Sequence, residues 1–143
     1  MTRFLLIALL LLAGCAAQLP PMPEDAAAKR FEPLPDKGVI YLVRPRADQD
    51  YVAPVMLDDQ MIGSTYRGTY MRIEVSAGLH RLHGMASDNG SVKLDIKQGD
   101  IYFIQHNAYG YRGSFINSTY QVVNASHGRS LVMGGQMSGL ITR

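Results

Sequence analysis

The four histidines of this chain are its residues best suited to metal binding or acid–base catalysis. His80 and His83 are three positions apart in one apolar stretch, and side chains at i and i+3 of a strand point to opposite faces. His106 and His127 lie in other segments, with no cysteine near them to complete a zinc site. We therefore expect one buried and one exposed histidine in the pair, no metal site, no cofactor and no catalytic residue. An enzyme with a histidine-containing site is kept as an alternative.

The carboxylates are distributed as turn formers and not as a catalytic pair. Asp58, Asp59 and Asp100 fall in predicted turns, and Asp95 lies on the charged face of an alternating stretch. The sequence has no G-x-S-x-G elbow, no phosphate-binding P-loop and no G-x-G-x-x-G motif. These patterns favour a non-enzymatic protein.

Two stretches combine residue types that recognise partners. Arg44 ends the first predicted strand before Pro45, and its guanidinium could bind a carboxylate or phosphate with two hydrogen bonds or lie solvated. Residues 109–115 hold three aromatics and an arginine among glycines, a composition enriched at contact surfaces. The alternative for this loop is a long hairpin whose aromatics fold back on the sheet. The predicted binding residues are Arg44, Tyr109, Tyr111 and Arg112.

Methionine is frequent, with eight residues in the chain. Met56, Met61, Met71 and Met85 lie on predicted strands. Their expected role is core packing, because the flexible thioether side chain fills irregular gaps. A copper site built from methionines is the alternative, because soft sulfur ligands suit Cu(I).

The N-terminus has the three parts of a secretory signal. Arg3 supplies positive charge, residues 4–12 are apolar throughout, and small residues precede Cys15, the only cysteine. The apolar run is too short to span a bilayer, which takes about 20 residues. The sequence Leu12-Ala13-Gly14-Cys15 resembles the lipobox of bacterial lipoprotein precursors.

This resemblance implies that residues 1–14 are a signal peptide and that Cys15 carries acyl chains, two or more of which anchor a protein stably. Ala16 and Ala17 follow, with no aspartate to mark inner-membrane retention. The expected location is therefore the outer membrane, facing the periplasm, with the inner membrane as the alternative. Residues 15–37 are rich in proline and alanine and predict a semi-extended tether that could hold a domain up to roughly 60 Å from the membrane.

The composition is that of one small domain, large enough to form a core without disulfides. Arg3 is the one charged residue among the first 14, so 13 lysines and arginines face 12 aspartates and glutamates in the processed chain. This near-neutral charge argues against nucleic acid as a partner.

From Gly38 onward, short apolar runs alternate with turns. Residues 39–43 are apolar on both faces, as in a central strand, and residues 92–96 alternate apolar with charged. Asn89-Gly90 is the strongest hairpin signal. Such spacing predicts an all-β fold over residues 38–143, a small antiparallel β-sandwich of about seven strands with a short C-terminal helix at 126–133. The other predicted strands cover residues 52–57, 60–63, 69–75, 79–85, 101–104 and 118–123.

Four pieces within residues 38–105 carry a further resemblance. They are residues 40–45, 55–63, 70–80 and 97–103, the first reading Ile-Tyr-Leu-Val-Arg-Pro. Their order resembles a family of small bacterial envelope lipoproteins with a domain of unknown function, itself similar to PEGA-type β-sandwich modules. This chain departs from the pattern with Asp59 at the usual turn glycine and Ala77 at a position where some relatives have proline. The resemblance implies a β-sandwich without an established reaction.

The expected function is therefore that of a non-enzymatic interaction or structural module of the bacterial cell envelope, held to the membrane through lipid on Cys15. Its expected partner is an envelope protein or the cell wall. A lipoprotein that binds a small ligand or a cell-wall glycan is the alternative.

Overall fold

The structure is a computed structural model that describes residues 21–85, 90–110 and 116–143. Over these residues two β-sheets pack face to face, with two short helices beside one of them. The strands are β1 (Gly38–Arg44), β2 (Ala53–Leu57), β3 (Gln60–Thr65), β4 (Thr69–Val75), β5 (Gly78–His83), β6 (Ser91–Ile96), β7 (Ile101–Tyr109), β8 (Asn117–Val123) and β9 (Gln136–Thr142). The helices are α1 (Asp25–Ala28) and α2 (Ala125–Gly134).

The first sheet has five strands in the order β8-β7-β1-β4-β9, and the second has four in the order β3-β2-β5-β6. The predicted all-β sandwich with a short C-terminal helix is confirmed. Two finer expectations need correction, because the described part of the chain contains nine strands and because β1 pairs with β7, and β4 with β9, in parallel. Strand β9 was not predicted, since Ser138 and Gly139 interrupt its apolar pattern.

The main core lies between the two sheets. Strand alternation sends one face of each strand inward, so that Ile40 and Leu42 of β1 meet residues such as Val55 and Leu57 of β2. Full burial of each such side chain contributes roughly 1.5–3 kcal/mol. The core also contains Ile62, Met71, Ile73, Val75, Leu82, Leu94, Ile96, Ile104 and Tyr120.

A second apolar layer covers the outer face of the five-stranded sheet. Tyr41 and Phe103 stack there with ring centroids 5.3 Å apart, and Phe31 packs on both rings. Helix α2 adds Val132 to the same layer. Strand β1 is therefore buried on both faces, which confirms the prediction of a central strand.

Asp25 fastens the N-terminal segment to this layer. Its Oδ1 accepts hydrogen bonds from the Tyr70 hydroxyl at 2.8 Å and the Met137 N–H at 2.9 Å, and its Oδ2 lies 2.8 Å from Lys29 Nζ. Burial alone would raise the pKa of Asp25, but hydrogen bonds from Lys29, Tyr70 and Met137 outweigh it and lower the pKa below 3.8. The carboxylate is therefore charged, and both of its oxygens have partners within the protein.

This packing revises the extent of the predicted tether over residues 15–37. Met22, Ala28, Phe31 and Leu34 contact the second apolar layer, so the folded part of the chain begins by Met22 and not at Gly38. The start of the predicted tether, the predicted signal peptide 1–14 and Cys15 lie outside the described residues.

Helix α2 depends on a glycine at its contact with the sheet. A Cβ added at Gly128 would lie 2.3 Å from Phe103 Cβ and Cγ, closer than any side chain allows. Asn124 caps the helix by accepting a hydrogen bond from the His127 N–H at 2.9 Å. Gly128 lowers the helix propensity of this segment, but its lack of a side chain permits the close packing of α2 on Phe103.

Candidate functional site

Arg44, the last residue of β1, has no exposed surface. Its Nε lies 2.7 Å from Asp48 Oδ2, its Nη2 donates to the Gln49 carbonyl at 2.5 Å, and its Nη1 donates to the Thr65 carbonyl at 3.1 Å and to that of Tyr51. The prediction that Arg44 contacts a partner is therefore corrected, because the chain itself uses this guanidinium. Arg44 positions loops.

The loops that Arg44 holds belong to one end of the sandwich. Asp48 Oδ2 also accepts a hydrogen bond from the Ala108 N–H at 2.9 Å, and the Tyr51 hydroxyl donates to the Gly110 carbonyl at 3.1 Å. These bonds fasten residues 45–52 to the end of β7. The turn between β3 and β4 joins them, because the Gly68 N–H donates to the Arg44 carbonyl at 2.8 Å.

We call residues 45–52, 66–68 and 109–110 the loop end. Its exposed surface includes one aliphatic and two aromatic side chains, since Val52, Tyr66 and Tyr109 are 51%, 44% and 42% exposed. Arg46 and Arg67 are exposed beside them, and Arg67 Nε lies 3.4 Å from Asp50 Oδ1. Large apolar side chains next to arginines on a rigid scaffold are typical of contact surfaces.

Of the four predicted binding residues, the structure brings Arg44 and Tyr109 to this end. Tyr111 and Arg112 lie outside the described residues, between Gly110 and Ile116. Sequence reasoning missed Asp48 and Tyr66. Asp48 lies in the turn that follows β1, where no helical spacing predicts its ion pair with Arg44, and no pattern marks Tyr66 as exposed.

Beneath the loop end, His106 is fully buried. Its Nδ1 and Nε2 each lie 2.9 Å from a hydroxyl, those of Thr65 and Ser118, and its ring stacks on Tyr120 at 4.5 Å. Burial and, after it, the nearby charge of Arg44 lower the pKa of His106 to about 4. The imidazole is therefore neutral near pH 7 and supports the ends of β3, β7 and β8. His127 is exposed on α2, with Nε2 3.3 Å from Gln105 Oε1.

The other two histidines lie at the opposite end, beside the turn between β2 and β3. Asp58 and Asp59 form this turn with φ of 50° and 64°, the positive values that a type I′ hairpin requires. His80 Nδ1 lies 2.6 Å from Asp58 Oδ2, and His83 Nε2 lies 3.1 Å from Asp59 Oδ1. The expectation of one buried and one exposed histidine is wrong, because both side chains are about 15% exposed, at 15% and 14%.

The carboxylates of this turn are charged. Burial would raise the pKa of Asp58, but hydrogen bonds from His80 and the Arg81 N–H outweigh it and lower the pKa. A hydrogen bond from Arg81, followed by its charge, lowers the pKa of Asp59. Within the described ranges, no three histidine, cysteine or acidic side chains are grouped to hold a metal ion.

A pocket of about 220 Å³ lies between the N-terminal segment and strands β4 and β9. This is below the roughly 300–1,000 Å³ typical of small-molecule sites. Four of the five charged residues that line it are paired, with Arg72 Nε 2.9 Å from Glu74 Oε1 and Arg30 Nε 2.8 Å from Glu32 Oε1; the fifth is Glu24. The loop end is therefore the stronger candidate.

Comparison with known proteins finds no family model, no curated protein and no solved structure that matches this chain. The resemblances to lipoprotein precursors and to PEGA-type modules stay predictions. In the part of the chain that the structure describes, no helix is long and apolar enough to cross a membrane.

Proposed function

We propose that this chain is a non-enzymatic, lipid-anchored module of the bacterial cell envelope that faces the periplasm and binds an envelope protein through its loop end. Cys15 is the lipidated residue, and the outer membrane is the membrane that holds it. The single observation that carries the binding role is the buried Arg44, which holds residues 48–51 beside the end of β3 and accepts a hydrogen bond from the Gly68 N–H. Asp48 and Tyr51, held in this way, in turn bind the end of β7.

The energetics of Arg44 support this reading. A buried ion pair is a poor route to stability, because desolvating two charges costs several kcal/mol that the mutual attraction only partly offsets. At this position the pair fixes irregular loops that have no regular ladder of their own. Loops fixed in advance lose little entropy when they bind, which raises affinity.

The chemistry of the exposed side chains indicates a protein partner. Val52, Tyr66 and Tyr109 offer apolar area, and Arg46 and Arg67 offer charged donors around it. Tyrosine and arginine dominate binding energy at protein interfaces, with polar groups at the rim. The paired charges and small volume of the pocket between the N-terminal segment and the sheet give less support to a small-ligand function.

Crosslinking in native envelopes tests the proposal. The full-length protein is crosslinked briefly in the cell, captured, and compared with a Tyr66→Ser/Tyr109→Ser variant. Leu79→Ser is the matched control, because Leu79 is 70% exposed on β5, outside the loop end. We expect a defined protein partner with wild type and with Leu79→Ser, but not with the double variant. Equal capture by all three proteins would contradict a binding role for the loop end.

Two further arms separate the parts of the proposal. Metabolic labelling with palmitate should mark the wild-type chain and leave Cys15→Ser unlabelled; label on both would refute lipidation at Cys15. Retention on purified cell-wall sacculi, competed by soluble fragments and lost in the Tyr66→Ser/Tyr109→Ser variant, would replace the protein partner by a glycan.

A further inference from the structure

Two methionines and a histidine form a row on the outer face of the four-stranded sheet. In the strand register Met56 of β2 stands opposite Met61 of β3 on one side and opposite His83 of β5 on the other. Directly opposed residues of antiparallel strands share a face, with Cα atoms about 4.5–5.5 Å apart. The three side chains therefore start from adjacent positions on the same surface.

The burial of their chain neighbours fixes which face this is. Val55 and Leu57 on either side of Met56 are buried in the core, and Leu82 before His83 is buried there too. Ile62 after Met61 belongs to the same core. Because side chains alternate along a strand, the row points away from the core.

Core packing therefore does not account for these methionines. Met71 lies in the core as expected, but Met61 is 53% exposed and Met56 is only partly buried. An exposed methionine contributes little to folding, whereas its thioether sulfur is free to act as a soft ligand.

The hydrogen bond of His83 prepares its other nitrogen for a metal. His83 Nδ1 lies 2.8 Å from the carbonyl oxygen of Gly84, and because a carbonyl only accepts, the proton is on Nδ1. Nε2 is then the nitrogen with a lone pair to offer. Histidine ligands of metals characteristically donate their second N–H to a carbonyl or carboxylate in this way.

Two charged groups lie beside Nε2 and are paired with each other. Asp59 Oδ1 is 3.1 Å and Arg81 Nη2 is 3.3 Å from Nε2, and this Nη2 donates to Asp59 Oδ1 at 2.5 Å. The Arg81 side chain is 42% exposed and can turn to solvent, which would leave Nε2 and the Asp59 carboxylate to a cation. Two thioethers and one imidazole are a soft donor set, which selects Cu(I) over Zn²⁺ or Mg²⁺.

We propose that Met56, Met61 and His83 form a Cu(I) site on the outer face of the four-stranded sheet. The site is remote from the loop end and does not depend on the proposed function. For Met56 and Met61, the proposal thus adopts the copper-site alternative of the sequence analysis and replaces the expectation that the protein has no metal site.

Copper(I) competition measures the affinity. The full-length chain carries Cys15→Ser throughout, because a free thiol would itself bind the metal. Cu(I) is added anaerobically against a coloured Cu(I) chelator, and we expect one equivalent to be retained. Met56→Leu, Met61→Leu and His83→Gln should each weaken binding about tenfold or more, since even partners behind the ligands are worth 10–100-fold.

Met133→Leu and His127→Gln are the matched controls. Met133 is 58% exposed and His127 is exposed, and both lie on α2 next to the other sheet. These substitutions should leave Cu(I) affinity unchanged. Thermal melting without metal should show that all five variants are folded, because none of the substituted side chains belongs to either apolar layer of the core.

Methyl NMR of the methionines, with Ag(I) as a redox-inert probe, locates the ion. The methyl signals of Met56 and Met61 should shift together with the ring signals of His83, while that of Met133 stays in place. Failure to retain Cu(I) against the chelator, wild-type affinity in Met56→Leu and Met61→Leu, or shifts at other methionines without these two would each overturn the proposal.

Discussion

Replacing Arg44 by methionine should cost the domain about 3–5 kcal/mol of folding free energy. The substitution keeps an unbranched chain of similar length but removes the charge, and Asp48, whose side chain is 11% exposed, loses its cation. Breaking one partner of a buried ion pair typically costs this much, because the other charge stays buried without compensation. The carbonyls of Gln49, Tyr51 and Thr65 also lose their donor.

Urea denaturation measures this loss. Small domains have m-values of about 1–3 kcal/mol per molar urea, so the midpoint should fall by about 2 M while the m-value stays the same. Since total stabilities are about 5–15 kcal/mol, the variant should still fold in buffer. Amide hydrogen exchange in residues 45–52 should accelerate, and capture of a partner by the loop end should fall with it.

A matched variant makes the comparison strict. Arg67→Met removes an arginine from the same end of the molecule, but Arg67 and Asp50 are 52% and 81% exposed and 3.4 Å apart. Exposed pairs contribute about 0–1 kcal/mol, so this variant should remain near wild type. An Arg44→Met protein within about 1 kcal/mol of wild type would show that the Arg44–Asp48 pair contributes no more than an exposed pair.

Three other predictions concern packing and pH. Gly128→Ala should lower the free energy of unfolding by about 1–3 kcal/mol, because the added Cβ collides with Phe103. Gly134→Ala is the control and should keep the wild-type melting temperature, because no atom lies within 4 Å of its added Cβ. Equal melting temperatures of the two variants would disprove the contact. Asp25→Asn should destabilise the protein at pH 7, and because the folded pKa of Asp25 is lowered, the difference from wild type should vanish as pH falls below 3.8; a difference constant down to pH 2 would contradict this. Burial lowers the folded pKa of His106 from 6.5 to about 4, so its contribution to stability is complete above pH 6.5 and is lost as the pH falls toward 4. The wild-type protein should therefore lose about 3 kcal/mol of folding free energy over this interval, and His106→Gln should show no such loss.

Local pattern was enough to predict most strands, because each strand's burial is written in its own residues. The apolar residues 39–43 indicated a strand covered on both faces, and the alternation at residues 92–96 indicated one covered on a single face; both are confirmed. The strands on either side of Asn89-Gly90 pair as a hairpin, although Asn89 itself lies outside the described residues.

Features that depend on distant parts of the chain were not predictable in this way. The prolines of the N-terminal segment look like those of a linker, and only the Tyr70 hydroxyl and the Met137 N–H, far away in sequence, turn Asp25 into an attachment point. The parallel pairing of β4 with β9 joins strands about 65 residues apart, beyond the reach of any turn signal.

The candidate site likewise contains one residue that the local pattern predicts and contacts that it does not predict. Tyr109 was predicted from its neighbours and is exposed as a contact residue would be. The burial of Arg44 was missed because one of its acceptors, the Thr65 carbonyl, is 21 positions away. The Met56–His83 pairing likewise arises only from the register of β2 with β5.

The attachment of residues 22–34 to the sheet also limits how far the folded domain can lie from Cys15. If acyl chains hold Cys15 in the bilayer, six residues separate that anchor from Met22, and a fully extended chain of this size spans about 25 Å. The proline-rich segment would have allowed more than twice that height. With such an anchor, the first folded residues would stay within about 25 Å of the bilayer, so a partner of the domain would have to reach the layer next to the membrane.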